Sequence, residues 1–457
     1  MAKLGDTAIV AGRSMAGIAA AAALRNRFER VLILDKDPET SGPQPRTGVG
    51  QGNHLHNLLK GGERAVEKLL PGARAKLMAM GAVAAQQGVD VLVYDHGQEL
   101  PKRDLGYDNI VATRPLIEHA VFQRLLEEAG VEVRHETTAE GLVFDGHRVT
   151  GIAVQGMGGG QDRLSADLVV DCTGRMSKAP KMLSAQGLGT VQEFKVNMGI
   201  SYTSALFESP GAAPGWGKGV TVLPAPPVKR GAFIGASEDG KWLVSLHTRF
   251  ERQLPTTHEE MIVFASEIPE TREFADFLMT AKALTPVRSY RKPDAIWRRF
   301  DKLAAFPEGF LVLGDSIASF NPVFGQGMSA AWLQAAALDD ILGARASSGG
   351  GLDGLAKDYL PQAMAISREA WNASTLVDAA YDEVSGDRRP GSKQGIAYLR
   401  ALRTLLAADA ELHADYIGVS QMITPASELM RPDRVTRVMA AMTGTAASAG
   451  LSEGRSR

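Results

Sequence analysis

The sequence predicts an α/β fold in which a parallel-sheet domain is interleaved with an antiparallel sheet and followed by a helical region. Three observations predict it. A strand–turn–helix–strand unit fills residues 7–35, and later apolar strands run into Gly turns at 167–174 and 310–314. Alternating segments broken by Pro and Gly occupy 190–250. Helical spacing then dominates 355–443.

Taken in order, residues 7–11 form a short apolar strand, 12–17 a turn, 18–27 an Ala-rich helix and 30–34 a second buried strand ending at Asp35. A right-handed parallel unit needs about thirty residues of this kind. Residues 62–80 have helical spacing, 88–94 and 110–113 read as strands, and 114–129 as a helix entered through Arg114-Pro115. Residues 131–154 alternate like a β-meander with Asp145-Gly146 as its turn. The Gly-rich patch 156–160 reads as a loop tip, since no helix pattern follows it. A buried strand at 310–314 precedes a helix at 328–343, and 347–354 is a Ser/Gly linker. The expected division is a dinucleotide-binding domain from 1–80, 111–185 and 281–345, a substrate domain from 81–110 and 186–280, a helical region 346–443, and a flexible tail 444–457.

The chain has 457 residues, 44% hydrophobic, which suits two or three domains. Its 50 basic and 52 acidic residues give a net charge of -2, which argues against a nucleic-acid partner. The one cysteine, Cys172, sits in an apolar strand, so inert packing and a reducing, cytoplasmic setting are expected. The apolar run 16–24 is too short to span a bilayer and reads as a buried helix. No integral membrane segment is expected.

Gly12-Arg13-Ser14-Met15-Ala16-Gly17 is the first chemical motif. A dinucleotide turn wants Gly for the tight turn, a small residue for close pyrophosphate approach and a last Gly for helix–strand packing. Ser14 replaces the usual second Gly but is small. The pyrophosphate would rest on the helix N-terminus. Asp35, followed by Lys36, stands about twenty residues on, where an acid accepts from a ribose diol. The second motif is Gly314-Asp315 followed by Asn321-Pro322-Val323-Phe324-Gly325-Gln326-Gly327-Met328. Asp315 suits a ribityl hydroxyl, and the backbone of Pro322, Gly325 and Gly327 suits the edge of a flavin, with a helix N-terminus facing the pyrimidine oxygen. Two motifs so far apart in sequence suit a cofactor as long as FAD. Thr173-Gly174, at the end of strand 167–171, is a third expected contact. Arg46 and Arg114 suit FAD phosphate or ring, with a surface ion pair as the alternative for each. His54-Leu55-His56 does not share a helix face and lacks a neighbouring acid cluster, so no metal is expected there.

Together these segments resemble the p-hydroxybenzoate-hydroxylase-like FAD-dependent monooxygenase superfamily over roughly residues 6–345, and within it the bacterial polyether-type (monensin and lasalocid) flavin epoxidases. Val10 to Gly17, Arg46 to Gln51 with His54-Leu55-His56, Arg114-Pro115-Leu116, Asp167 to Ser177, Arg298-Arg299 and Gly314 to Ser329 carry the resemblance. It implies a Rossmann-like FAD-binding domain, NAD(P)H as reductant, O2, and transfer of one oxygen atom from a flavin C4a-hydroperoxide to a bulky apolar natural-product intermediate. Aromatic hydroxylases carry Asp-Gly where this chain has Thr173-Gly174, and often His where Ala318 stands. Both departures shift the expectation from phenols toward an alkene. No Trp-x-Trp-x-Ile-Pro segment of a flavin halogenase is present. His54, Phe194, Tyr202, Trp242, Phe320 and Phe324 are the candidate pocket linings. The rival readings are an FAD-dependent reductase of the geranylgeranyl-reductase type and a non-catalytic flavin-binding protein. Substrate identity, delivery on a carrier protein and oligomeric state are left open.

Overall fold

The computed structural model describes residues 2–209, 215, 217–270, 272–387 and 390–443, with backbone alone at 272 and 273. The expected tail, 444–457, and most of the loop at 209–219 lie outside the described residues.

A five-stranded parallel sheet runs in the order Phe310–Val312, Leu168–Asp171, Gly5–Ala11 (β1), Phe28–Leu34 (β2) and Val131–Arg134. Val131–Arg134 thus leaves the meander in which the sequence reading puts it. Its register against β2 buries the alternate residues Val131 and Val133 against the core, which a meander edge would not. The meander proper is Thr137–Asp145, Arg148–Gly156 and Gln161–Ser165. The helical span 62–80 breaks into Lys60–Leu69 and Ala73–Ala79. Pro71 cannot continue the helix, and Gly72 takes φ +88.

The helix α1 (Met15–Leu24) starts earlier than the sequence suggests and is buried on every side. A helix apolar all round belongs inside the molecule. Its small residues let three pieces of backbone close on one another. A methyl group at Gly17 would lie 1.8 Å from the Gly12 carbonyl oxygen, and one at Gly314 would lie 2.6 Å from Ala16 Cβ. Gly12 itself has φ +104, with the Cys172 carbonyl 2.6 Å from where its Cβ would be. The turn after β1, the start of α1 and the turns after Leu168–Asp171 and Phe310–Val312 therefore meet with no space for a side chain at Gly12, Gly17 or Gly314.

The second sheet has nine strands, centred on Gln192–Glu208. This strand pairs with Lys241–Arg249 on one side and Arg288–Arg299 on the other. The latter falls in 281–345, which the sequence reading gives to the dinucleotide-binding domain; its pairing places it in the second sheet instead. Strand Val91–Asp95 extends the far side by pairing parallel with Gly219–Leu223. One face of the sheet buries Phe207, Val222, Trp242 and Val244 under the helices His258–Ser266 and Arg272–Thr280.

Behind both sheets lie α2 (Gln326–Ser347), which packs on α1, and α3 (Leu355–Asp378), which packs on α2. The helices Ser392–Leu405, Ala410–Ser420 and Pro432–Met442 share a small core of Leu402, Leu406, Leu412 and Val438 that also takes in Leu100 beside the sheet edge. Among the described residues, no helix is long and apolar enough to cross a membrane.

Gly17→Ala is expected to destabilise the chain by about 1–3 kcal/mol, since the added methyl meets rigid backbone. Urea unfolding of the variant and the parent measures it.

Candidate active site

A single cavity of about 1600 Å³ joins the parallel sheet, the open face of the second sheet and the C-terminal helices. Sites for one small ligand run to roughly 300–1,000 Å³, so there is space here for a long cofactor and a second molecule.

One part of the wall is built by the turns of the parallel sheet. Ser14, Met15 and Ala16 line it, with Lys36, Arg114, Thr173, Gly174, Asp315 and the segment Pro322 to Met328, Gly325, Gln326 and Gly327 included. The N-termini of α1 and α2 both open here, and neither has a side-chain cap. Their first-turn N–H groups are therefore available to a ligand, and both helix dipoles favour negative charge at this place. Gly12 and Gly17 lie beneath the wall and act by allowing the close approach described above. At Gly174 and Gly327 an added methyl would meet only Asp315, at 3.7 and 3.6 Å. These backbone faces are open to a flat ring.

Two expected contacts are elsewhere. Asp35 ends β2 as expected, but Arg13 Nε and Arg46 Nη1 take up its carboxylate, and it does not line the cavity. Arg46 is held by Asp35, Asp37 and Glu118 and is buried among them. Charge pairing behind the strand end, supplied by the Arg13 side chain of the glycine turn, accounts for both. Phe194 and Trp242 also leave the expected pocket. Side chains alternate across a strand. Trp242 therefore points with Phe207 to the helix-covered face, where it packs on Phe277, while Phe194 packs on Trp297. His54, Tyr202, Phe320 and Phe324 do line the cavity.

Buried polar contacts hold the turns in place. Arg298 donates to the carbonyl oxygens of Ser316 and Arg175 at 3.1 and 2.6 Å, tying the 173–177 and 314–317 turns together. The Asp171 carboxylate accepts from Thr173 N at 2.8 Å. Asn321 accepts from Val323 N at 3.0 Å and donates to Asp378 at 2.7 Å, and Asp378 pairs with Arg249 at 2.7 Å. Cys172 is buried; burial and the adjacent Asp171 push its thiol well above the usual range, which leaves it inert.

The second sheet adds groups that sequence motifs did not reveal. Lys292 Nζ donates to Ser319 Oγ at 2.7 Å, which donates to Asp315 at 2.9 Å. Burial pulls the Lys292 ammonium below its ordinary range. Tyr290 and Lys292 are alternate residues of one strand, and only the register of that strand turns them both to the cavity. Further from the turns the wall becomes apolar. Val91, Val93, Leu223 and Phe233 come from the sheet, and Leu376, Leu399, Ile417 and Leu429 from the helices. The helical cover is fastened to the sheet edge by Asp95, whose carboxylate binds His96, Arg403 Nε and Tyr416. Burial opposes its ionisation, but these partners prevail and hold the carboxyl below its usual range.

Burial also holds two histidines neutral, His54 at about 4 and His247 at about 3. Both are depressed from about 6.5, so the unfolded chain binds more protons below that pH and stability must fall as the solution is acidified. From pH 6.5 down toward 4, each is expected to cost about 1.4 kcal/mol per pH unit. Unfolding free energies at pH 7, 6 and 5 measure the slope, and His54→Gln should remove one proton's share. Asn321→Ala is expected to cost about 1–3 kcal/mol and to loosen the turn before α2; urea unfolding reads the first.

The chain matches the FAD dependent oxidoreductase family over residues 8–177. It is 31% identical to Protein Rv3254 of Mycobacterium tuberculosis (strain ATCC 25618 / H37Rv) over 398 residues, covering 84% of this chain and 82% of that one. Among solved structures it is similar to the flavin-dependent brominase Bmp2, with a TM-score of 0.65 and 13% identity over 96% of this chain and 99% of that one. It is also similar to p-nitrophenol 4-monooxygenase PnpA from Pseudomonas putida DLL-E4, with a TM-score of 0.61 and 15% identity over 96% and 98%. At such identities these two structures show a common fold. The residues present fit FAD: two uncapped helix N-termini share one cavity, and open glycine backbone at 174 and 327 faces it.

Proposed function

Because the chain belongs to the FAD-dependent oxidoreductase family, we propose that it is a monooxygenase of secondary metabolism, of the kind that builds antibiotics. It takes electrons from NADPH or NADH and places one atom of O2 on a bulky apolar natural-product intermediate; the other leaves as water. Alkene epoxidation, the reaction of the polyether-type enzymes that the sequence resembles, is the preferred step, with hydroxylation as its variant.

The observation that carries this reading is the continuity of one cavity from the open helix N-termini to an apolar, helix-covered chamber. Bound FAD supplies the two-electron chemistry with O2 that no side chain provides. The chain's own groups do the rest. The α1 N-terminus and Ser14 would hold the pyrophosphate. Asp315 and the Thr173–Gly174 turn would hold the ribityl chain. The α2 N-terminus would favour negative charge at the pyrimidine edge, with Pro322, Gly325 and Gly327 presenting backbone alone to the ring. An alkene needs no side-chain base. The protein's task toward it is to orient the double bond and exclude water, which the chamber walls suit.

The purified protein is expected to be yellow and to oxidise NAD(P)H in an oxygen-dependent way. With a panel of apolar polyenes and isotopically labelled O2, one labelled oxygen atom should enter the product. Colourless protein, or product formed equally well without O2, would overturn the reading; the second result is that of a reductase.

A further inference from the structure

We infer that the substrate carries a neutral carbonyl oxygen apart from its reacting double bond, and that His54 donates a hydrogen bond to it through Nε2. This rests on reading the chamber as the substrate site.

The direction of one hydrogen-bond chain decides which nitrogen of His54 holds the proton. The backbone N–H of Leu55 can only donate, and it donates to Ser245 Oγ at 3.4 Å. Ser245 Oγ touches Ser204 Oγ, which lies 2.8 Å from His54 Nδ1. Each hydroxyl has one proton to give. When Ser245 gives its proton to Ser204, and Ser204 gives its own to His54, every proton finds an acceptor. Run the other way, the Ser245 proton has none among the described residues. His54 Nδ1 therefore accepts. Burial keeps the ring neutral, so Nε2 carries the hydrogen, on a residue of the cavity wall.

His56 is held the opposite way. Its Nδ1 lies 2.8 Å from the His54 carbonyl oxygen, which can only accept. The proton is on Nδ1 and Nε2 keeps a lone pair. The two histidines are thus locked in different tautomers two positions apart.

The ring beside His54 keeps this part of the wall apolar. Tyr202 lines the same wall with its ring 5.9 Å from that of His54, while its hydroxyl turns away from the cavity surface and is buried without a partner among the described residues. Burial keeps the phenol protonated. A neutral donor held in one direction on a largely apolar wall suits a neutral acceptor, and a carbonyl oxygen is the strongest of these. A charged oxygen would have to be desolvated into an apolar wall. Ser204 is a positioning residue: it never meets the substrate but sets the tautomer of the group that does.

Two measurements on the FAD-loaded protein test this. Nitrogen-15 spectra of the histidine-labelled protein, assigned by difference with His54→Gln, should show His54 protonated on Nε2 and His56 on Nδ1; Ser204→Ala should abolish the His54 preference alone. A His54 proton on Nδ1 overturns the inference without touching the proposed reaction. In calorimetric titrations, 1-tetralone should bind about tenfold tighter than tetralin. His54→Phe should erase that difference and His54→Gln, which keeps a donor, should retain much of it. Equal binding of the two probes by the parent, or an undiminished ketone preference in His54→Phe, overturns the inference while the chamber stands. Failure of both probes to bind overturns the chamber as substrate site, and the inference with it.

Discussion

The buried carboxylate of Asp378 is the constraint on which the site depends. It ends α3 fully enclosed, and its partners come from two other parts of the chain. Arg249 belongs to the second sheet, and Asn321 to the turn that leads into α2. A buried carboxylate left without partners is strongly unfavourable, so the three parts must meet in one arrangement. Asn321 transmits that arrangement to Val323 and so to the left-handed Gly325, from which α2 starts. The mouth of α2 is aimed, in effect, by a charge pair on the far side of the turn. Arg298 does the same for the other turns, with carbonyl oxygens as its targets.

Much of the parallel sheet was legible in the sequence because its signals are local. Short apolar runs give β1, β2 and the strands at 168 and 310, glycine bounds all but β2, and the glycine spacing announces close backbone approach. What failed depends on register and pairing. Trp242 and Phe194 are aromatic residues of the right region, yet the alternation of their strands turns Trp242 under the helices and Phe194 toward Trp297. Asp35 stands at the expected position, but nothing local foretells that Arg13 and Arg46 converge on it. Lys292 and Tyr290 sit in a basic stretch without a motif of its own. Only its antiparallel partner, Gln192–Glu208, shows which residues face inward. The C-terminal helices carry no motif at all, because their contribution is an apolar surface and scattered polar fastenings, at Asp95, at Arg103 and at Gln421.

The fold is common to a brominase and a p-nitrophenol monooxygenase, so the outcome of the reaction is not written in the sheets. It is written where the second sheet and the helices close over the cavity. Among the described residues that region is mainly apolar, its charges include the Asp95–Arg403 pair, and the buried Lys292 amine lies against Asp315 through Ser319. Side chains that differ between relatives at these positions would change the substrate while leaving the cofactor cradle untouched.

The composition of α1 has a thermodynamic consequence for that cradle. Alanine and glycine lose almost no side-chain rotamer entropy when they are ordered, and alanine is the strongest helix former. A helix written Met-Ala-Gly-Ile-Ala-Ala-Ala-Ala-Ala-Leu therefore reaches its final state with the folding of the sheet around it. Its first turn is rigid before any ligand arrives. Binding there has little disorder to remove, so the free energy of each N–H contact goes into affinity rather than into ordering the protein.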